Sequence, residues 1–246
     1  MAKKNRTSTD MITDCACVIH GSVYDWIYVE KLHAMLSRHL PNGIRFHVYT
    51  EPDRRVPAHM IKHELTDWKG LVGPRKSWWY KMQLFNAEHF DGDLLYLDLD
   101  VVVIRDLTWI TRLPTDYFWT IRDFRYLQNY RISSINSSVM WFNVSKFSWI
   151  WDQFQKSNIM ENIKRFPGDQ DFLNHVLDIK DRRFFEDRYF ESYRWQCQDG
   201  GYDFQQRRHR RPNSGMSVQS DTAIVVFHGN PKPHQISDPV IRDFWK

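Results

Sequence analysis

The feature that most constrains this fold is a run of apolar residues that ends in two carboxylates. Leu94 to Leu97 is apolar throughout, which is typical of a central strand covered on both faces. Asp98 and Asp100 follow, and the strand period of two predicts both side chains on one face of a strand that continues to Ile104. Such carboxylates repel each other, which favours an oxygen-liganded divalent cation, Mn²⁺ or Mg²⁺. The alternative is that they cap a turn or pair with Arg105.

Strand and helix signals alternate along the rest of the chain, which predicts an α/β fold. Residues 1–14 are polar and are expected to form a flexible segment, followed by a single domain over 15–246. The region 181–221 is expected to be irregular. The predicted strands cover residues 15–19, 44–50, 60–65, 94–104, 117–123, 138–144 and 223–227, and the predicted helices cover 26–40, 78–90, 147–156 and 169–177.

Composition narrows the class of protein. No apolar run approaches the roughly 20 residues that span a bilayer, and no signal peptide is recognised. The three cysteines are sparse and lack zinc-site spacing, which predicts buried thiols and a cytoplasmic location. A net charge of +4 does not indicate a nucleic-acid partner but suits an anionic small substrate. Aromatic residues make up 15% of the chain, so either the core is aromatic or a groove is lined with rings.

Four motifs in order resemble those of glycosyltransferase family 8, which includes glycogenin and bacterial lipopolysaccharide galactosyltransferases. Each motif alone is weak, but their order is fairly specific, and the resemblance covers about residues 15 to 235. The motifs are Leu-Tyr-Leu-Asp98-Leu-Asp100, Asn136-Ser137-Ser138-Val139, Gly168-Asp169-Gln170-Asp171-Phe-Leu-Asn174 and His228-Gly229-Asn-Pro-Lys232-Pro.

This resemblance implies a GT-A fold, which is a Rossmann-like nucleotide-sugar-binding domain with a mixed central sheet. It further implies a nucleotide-sugar donor, usually a uridine diphosphate (UDP) sugar, and a saccharide or glycoconjugate acceptor. Asp98 and Asp100 match the family's Mn²⁺-binding pair. Transfer is expected to proceed with retention of anomeric configuration.

The resemblance also assigns substrate-binding residues. Tyr24 matches the tyrosine that stacks on uracil, although a core tyrosine is the alternative. Lys81 matches a basic residue near the donor sugar and phosphate, and the alternative is a solvated lysine. Asn136 and Ser137 match the segment that approaches the donor sugar. Lys232 matches the lysine that contacts the diphosphate.

Asp169 and Gln170 match the catalytic pair beside the reacting carbon, where they would hold sugar hydroxyls and an oxocarbenium-like charge. The alternative is an ordinary helix N-cap in Gly168-Asp169. The sequence departs from the family at Ser138, where a glycine is usual and would allow close backbone approach.

The third metal ligand is the least regular of the matches. The family's histidine lies six residues before the lysine, where this chain has Val226. His228 lies two residues later, which keeps it on the same strand face and makes it the expected ligand. His234 is the alternative.

Two other functions fit parts of the sequence. A haloacid-dehalogenase-like phosphatase would use Asp98 as its nucleophile. A non-catalytic carbohydrate or nucleic-acid binding module would use the aromatic residues and a basic cluster. This cluster also suggests an anionic acceptor or peripheral association with a membrane surface, and it consists of Arg207, Arg208, Arg210 and Arg211.

Overall fold

The computed structural model describes residues 12–68, 71, 74–156 and 158–246. The strands in this part of the chain are β1 (Thr13–Val18), β2 (Ile44–Thr50), β3 (Ile61–Glu64), β4 (Asp93–Leu97), β5 (Val101–Val103), β6 (Phe118–Arg122), β7 (Ile135–Asn143), β8 (Arg182–Phe184), β9 (Phe190–Ser192), β10 (Tyr202–Asp203), β11 (Arg208–His209) and β12 (Ile224–Val226). Most lie within a few residues of the predicted positions.

Seven strands form a mixed central sheet in the order β3-β2-β1-β4-β7-β6-β8. β1 pairs in parallel with β2 and β4, whereas β7 is antiparallel to both β4 and β6. A second, three-stranded sheet has the order β5-β12-β9. β10 and β11 form a short antiparallel pair. β1 and β4 therefore end side by side, where α/β sheets commonly bind ligands.

Alternation along the central strands divides the apolar residues between two cores. In β4, Leu95 and Leu97 belong to one core, and Leu94 and Tyr96 belong to the other. The predicted double-sided burial of this strand is therefore confirmed. Helix α1 (Ile27–His39) contributes to the first core through residues spaced three or four apart, which is the period of one helix face.

The second core is covered by short helices. α2 (Val144–Phe147), α3 (Trp149–Lys156), α4 (Ile159–Arg165) and α5 (Asp169–Val176) contribute side chains to it. α6 (Pro239–Phe244) follows near the C-terminus. No helix in the described residues is long and apolar enough to cross a membrane.

Two predicted elements differ from the structure. The helix expected over 78–90 is a 3₁₀ helix over Pro74–Phe85, followed by turns. The strand expected over 94–104 is interrupted, because the chain turns at residues 98–100 and β5 joins the second sheet. The prediction that Asp98 and Asp100 share a face of one continuous strand is therefore wrong.

The structure also tests the predictions for the N-terminal segment, the irregular region and the cysteines. Residues 1–11 of the expected flexible segment lie outside the described residues, and Thr13 and Asp14 already belong to β1. The region 181–221 contains four short strands and a π-helical turn over Tyr193–Cys197. All three cysteines are free and buried, as expected.

Four polar side chains on β1, β2 and β3 are connected in a row at the edge of the central sheet. Asp14 accepts a hydrogen bond from Arg45 at 2.6 Å and lies 2.8 Å from His47 Nε2. His47 Nδ1 in turn lies 2.8 Å from His63 Nε2. Burial, together with the nearby His47 and His89, lowers the pKa of His63 to about 4.

The depressed pKa of His63 predicts acid sensitivity. Between pH 6.5 and pH 4 the unfolded chain binds a proton that the folded chain does not, so stability falls as the pH falls through this window. Urea unfolding at pH 7 and at about pH 4.5 measures this fall in the free energy of unfolding. The fall should be smaller in His63→Gln than in the unsubstituted protein. His59→Gln, at an exposed histidine, should behave like the unsubstituted protein. Equal losses in all three proteins would contradict the assignment.

Candidate active site

Five of the predicted site residues line one cavity of about 400 Å³. The cavity lies where β1 and β4 end, so its position follows from the parallel pairing of these strands. The predicted residues that line it are Tyr24, Lys81, Asp98, Asp100 and Lys232.

The two aspartates reach this cavity from a turn whose backbone is fixed from two sides. Asp98 N donates to Ser138 O at 2.8 Å, which ties the turn to β7. Phe227 N donates to Asp100 O at 3.0 Å, which ties it to the residue after β12. Both side chains therefore face one cavity although they do not lie on one continuous strand. The described ion pairs of these aspartates do not include Arg105.

Asp100 is 8% exposed and has two polar partners. The Tyr24 hydroxyl donates to its Oδ2 at 2.8 Å, and the Lys232 ammonium contacts the same oxygen. Burial raises the pKa of Asp100, Lys232 opposes the rise, and repulsion from Asp98 leaves it above its usual value. Lys232 Nζ also lies 5.4 Å from the centre of the Tyr24 ring. Tyr24 is therefore part of the polar site.

Asp98 is held by a different set of groups. The Tyr96 hydroxyl donates to its Oδ1 at 2.6 Å, and Lys81 Nζ lies 2.9 Å from the same atom. Burial acts to raise the pKa of Asp98, but Lys81 and hydrogen bonds from Tyr96 and Ser138 lower it overall. The two carboxylates thus sit in one cavity with different electrostatic partners.

Lys81 is 6% exposed, so the alternative of a solvated lysine is wrong. Its Nζ lies 3.3 Å from Asp169 Oδ2 and donates to Ser137 Oγ at 3.1 Å, besides its contact with Asp98. Burial acts to lower the pKa of Lys81, but Asp169 and Asp98 raise it above its usual value. The ammonium group therefore stays charged between two carboxylates.

Asp169 is the first residue of α5 and is 4% exposed. The N-cap is Gly168, so the interpretation of Asp169 as an ordinary helix cap is wrong. Ser137 Oγ donates to Asp169 Oδ2 at 2.7 Å. A Cβ at Gly168 would lie 3.3 Å from the indole nitrogen of Trp78, so the helix begins close to this ring.

Three other predicted residues line a second cavity of about 200 Å³, namely Asn136, Gln170 and His228. Gln170 Nε2 donates to Asp123 Oδ2 at 3.1 Å, and Asn136 Oδ1 accepts from Ser138 N at 2.9 Å. Asn136 precedes Ser137 and Gln170 follows Asp169, and both Ser137 and Asp169 contact Lys81 of the first cavity. Eight of the predicted site residues are thus divided between two cavities, whereas Ser137 and Asp169 line neither and lie against Lys81.

The structure does not bring the candidate histidines to the aspartates. His228 Nε2 lies 2.6 Å from Ser192 Oγ, and His234 Nδ1 contacts the Tyr28 hydroxyl. Burial lowers the pKa of His228 to about 4, together with the positive charges of three basic residues, Arg194, Lys232 and Arg125. Within the described ranges, no three His, Cys, Asp or Glu side chains are arranged to hold a metal ion.

Sequence reasoning missed several residues of the two cavities. Tyr96 lies two residues before Asp98, and strand periodicity alone would have placed both on one face. His20 lies just past the end of β1, which is a usual position for ligand-binding residues, and its ring stacks on Tyr80 at 3.7 Å. Trp195 lines the second cavity from the irregular region, where no sequence signal indicated it.

No protein-family model matches the sequence, and a comparison with curated proteins also finds no match.

Several solved glycosyltransferase structures are similar in fold to this chain. The galactosyltransferase LgtC, in complex with donor and acceptor sugar analogues, has a TM-score of 0.64 at 15% identity, covering 94% of this chain and 96% of LgtC. GlyE from Streptococcus pneumoniae TIGR4 has a TM-score of 0.65 at 18% identity, covering 95% and 60% of the two chains. The bifunctional glycosyltransferase WbbM has a TM-score of 0.59 at 12% identity, covering 93% and 48%. The expected GT-A fold with a mixed central sheet is confirmed.

The buried position of Lys81 predicts a large loss of stability when its charge is removed. Lys81→Met leaves two carboxylates without their shared cation, and such a change typically costs about 3–5 kcal/mol. Lys146→Met is the matched control, because Lys146 pairs with Asp116 at 2.7 Å but lies at the surface, where a pair contributes at most about 1 kcal/mol.

Urea unfolding at pH 7 measures both losses. Adding Asp169→Asn to Lys81→Met should restore part of the stability, because one uncompensated charge is removed. Similar small losses for Lys81→Met and Lys146→Met would show that Lys81 does not hold the site together.

Proposed function

We propose that this protein is a metal-dependent glycosyltransferase that moves a sugar from a nucleoside diphosphate sugar, a UDP-sugar, to a saccharide or glycoconjugate with retention. One observation carries the proposal: a cavity of the GT-A fold gathers two aspartates, two lysines and a tyrosine that the sequence motifs had singled out. The solved glycosyltransferases of this fold, one of them bound to donor and acceptor sugar analogues, support glycosyl transfer as the reaction class.

The cavity suits the nucleoside diphosphate part of the donor. Lys232 supplies a compact positive charge for the diphosphate, and its flexible stem allows it to exchange Asp100 for a phosphate oxygen. The Tyr24 ring is fixed at its hydroxyl by Asp100 and offers a face on which uracil would stack. Lys232 and Tyr24 line the same cavity, so one nucleoside diphosphate could contact both of them.

Asp98 and Asp100 are the residues that would hold the divalent ion. Their donor set consists of carboxylate oxygens, which suits Mn²⁺ or Mg²⁺ and leaves positions for phosphate oxygens and water. When bound, such an ion neutralises charge that develops on the departing diphosphate. A third protein ligand could come from His228 or His234, which contact Ser192 and Tyr28 through one ring nitrogen each.

Asp169 and Gln170 are proposed to act beside the reacting carbon. The Asp169 carboxylate is oriented by Lys81 and Ser137, and an oriented carboxylate stabilises an oxocarbenium-like charge without reorganisation. The Gln170 amide is oriented by Asp123 in the second cavity, which we assign to the acceptor.

The two alternative functions receive no support from the comparisons. A phosphatase would require Asp98 as a free nucleophile, but its Oδ1 is engaged by both Lys81 and Tyr96. A non-catalytic binding module would not need the paired aspartates that organise the first cavity.

Donor hydrolysis tests the proposed function without knowledge of the acceptor. The protein should slowly hydrolyse a UDP-sugar in the presence of Mn²⁺, because water takes the place of the acceptor. Asp98→Asn and Asp100→Asn should each lower this rate by about 100-fold or more, since a loss of about 3 kcal/mol of transition-state stabilisation has that effect. Asp116→Asn, at an exposed aspartate, is the control and should retain the rate.

Three results would contradict the proposal: hydrolysis that persists after chelation of Mn²⁺, hydrolysis that is unaffected in both site variants, or release of phosphate from simple monoesters with Mg²⁺ instead. The last result would favour the phosphatase.

A further inference from the structure

A third cavity, of about 480 Å³, is formed by the irregular region between β9 and β12. The half-buried Trp195 lines both this cavity and the second one, so the two cavities meet at this residue. Neither the donor site nor the catalytic pair uses the third cavity. An acceptor longer than one sugar unit, seated in the second cavity, would extend past Trp195 into it.

Two arginines whose backbone is fixed line the third cavity. Arg210 N donates to Gly201 O at 2.9 Å, and Arg211 N donates to Asp199 O at 2.8 Å. Gly200 has a φ of +73°, and a Cβ there would lie 3.0 Å from the Arg211 stem. Glycine thus allows both the left-handed backbone and the close approach of this side chain.

These arginines are not paired with a carboxylate in the cavity. The described ion pairs include neither Arg210 nor Arg211. The carboxylate in the cavity wall, Glu191, is 3% exposed and already accepts from Thr222 Oγ1 at 2.6 Å and from Gln219 N at 2.9 Å. The guanidinium groups are therefore free to bind an anion from solution.

The neighbouring second cavity carries charges of both signs. Arg125 and Asp123 both line it, and Asp123 accepts a hydrogen bond from Gln170. The arginines that can hold an anion are therefore those of the third cavity, Arg210 and Arg211.

Aromatic rings also line the third cavity. The ring centres of Trp195 and Phe204 are 5.4 Å apart with their planes nearly perpendicular, and Tyr202 lies 5.2 Å from Phe204 in a similar arrangement. Rings provide flat apolar faces on which a sugar packs, and a few polar groups then fix its orientation.

We propose that the third cavity is an acceptor subsite that binds an anionic saccharide, with a sugar packed on Trp195 and its phosphate or carboxylate held by Arg210 and Arg211. Planar guanidinium groups bind such anions through paired hydrogen bonds. The inference rests on the proposed glycosyltransferase function and adds to it the charge class of the acceptor.

The test is binding to an array of saccharides, each present in neutral, phosphorylated and uronic acid forms, with no donor added. Anionic forms should bind at least about tenfold more tightly than their neutral counterparts, a difference of about 1.4 kcal/mol. Arg210→Gln/Arg211→Gln should lose this preference. Arg207→Gln/Arg208→Gln removes the same charge from the same exposed cluster outside the cavity lining, and it should stay within about twofold of the unsubstituted protein.

Equal binding of neutral and anionic forms, no binding to any form, or equal losses in the two double variants would overturn the proposal. Binding to vesicles of phosphatidylglycerol distinguishes a saccharide site in the cavity from a membrane-binding surface. Vesicle binding that falls equally in both double variants, without a saccharide preference, would assign the arginines to a membrane surface instead. Because no donor is present, failure here leaves the donor-hydrolysis test of the proposed function intact.

Discussion

The ammonium group of Lys81 is the interaction on which the rest of the site depends. It reaches from the 3₁₀ helix Pro74–Phe85 to Asp98 after β4, to Ser137 on β7 and to Asp169 at the start of α5. Four elements from distant parts of the chain therefore meet at one buried cation. A buried charge persists only when it is paired and hydrogen-bonded, so the arrangement is kept in place before any substrate binds.

The balance of charge around this cation explains what the site is suited to bind. Three carboxylates, those of Asp98, Asp100 and Asp169, face two ammonium groups, those of Lys81 and Lys232, which leaves one negative charge in excess. The raised pKa of Asp100 has burial as its main cause and Asp98 as a further one. A divalent cation together with a diphosphate is the kind of ligand that relieves this excess and engages both lysines.

Local patterns in the sequence predicted the sheet and the location of the site. Four apolar residues before Asp98 indicated a buried central strand, and β4 is buried on both faces. The same pattern did not reveal the turn at residues 98–100, because Val101–Val103 is as apolar as the strand before it and joins another sheet. Its place in the fold is decided by pairing with β12, which begins more than a hundred residues later.

Contacts between distant residues were the least predictable from the sequence. The burial of Lys81 depends on Asp169, which lies far along the chain, and a lone lysine on a helical pattern is ordinarily solvated. His228 follows its strand closely, but its partner Ser192 comes from the irregular region, so local sequence could not indicate that it lines the second cavity. The four arginines were recognised as a cluster, whereas the division into cavity and surface pairs required the structure.

The central claim is that the aspartates and lysines of the first cavity form a site for a nucleoside diphosphate with a divalent ion. Calorimetric titration of UDP, with and without Mn²⁺, tests it most directly. The account predicts binding that requires Mn²⁺ and is at least about tenfold weaker in Lys232→Ala, which removes a charge-assisted contact. UDP binding that is equally strong without Mn²⁺ and unchanged in Lys232→Ala would contradict it.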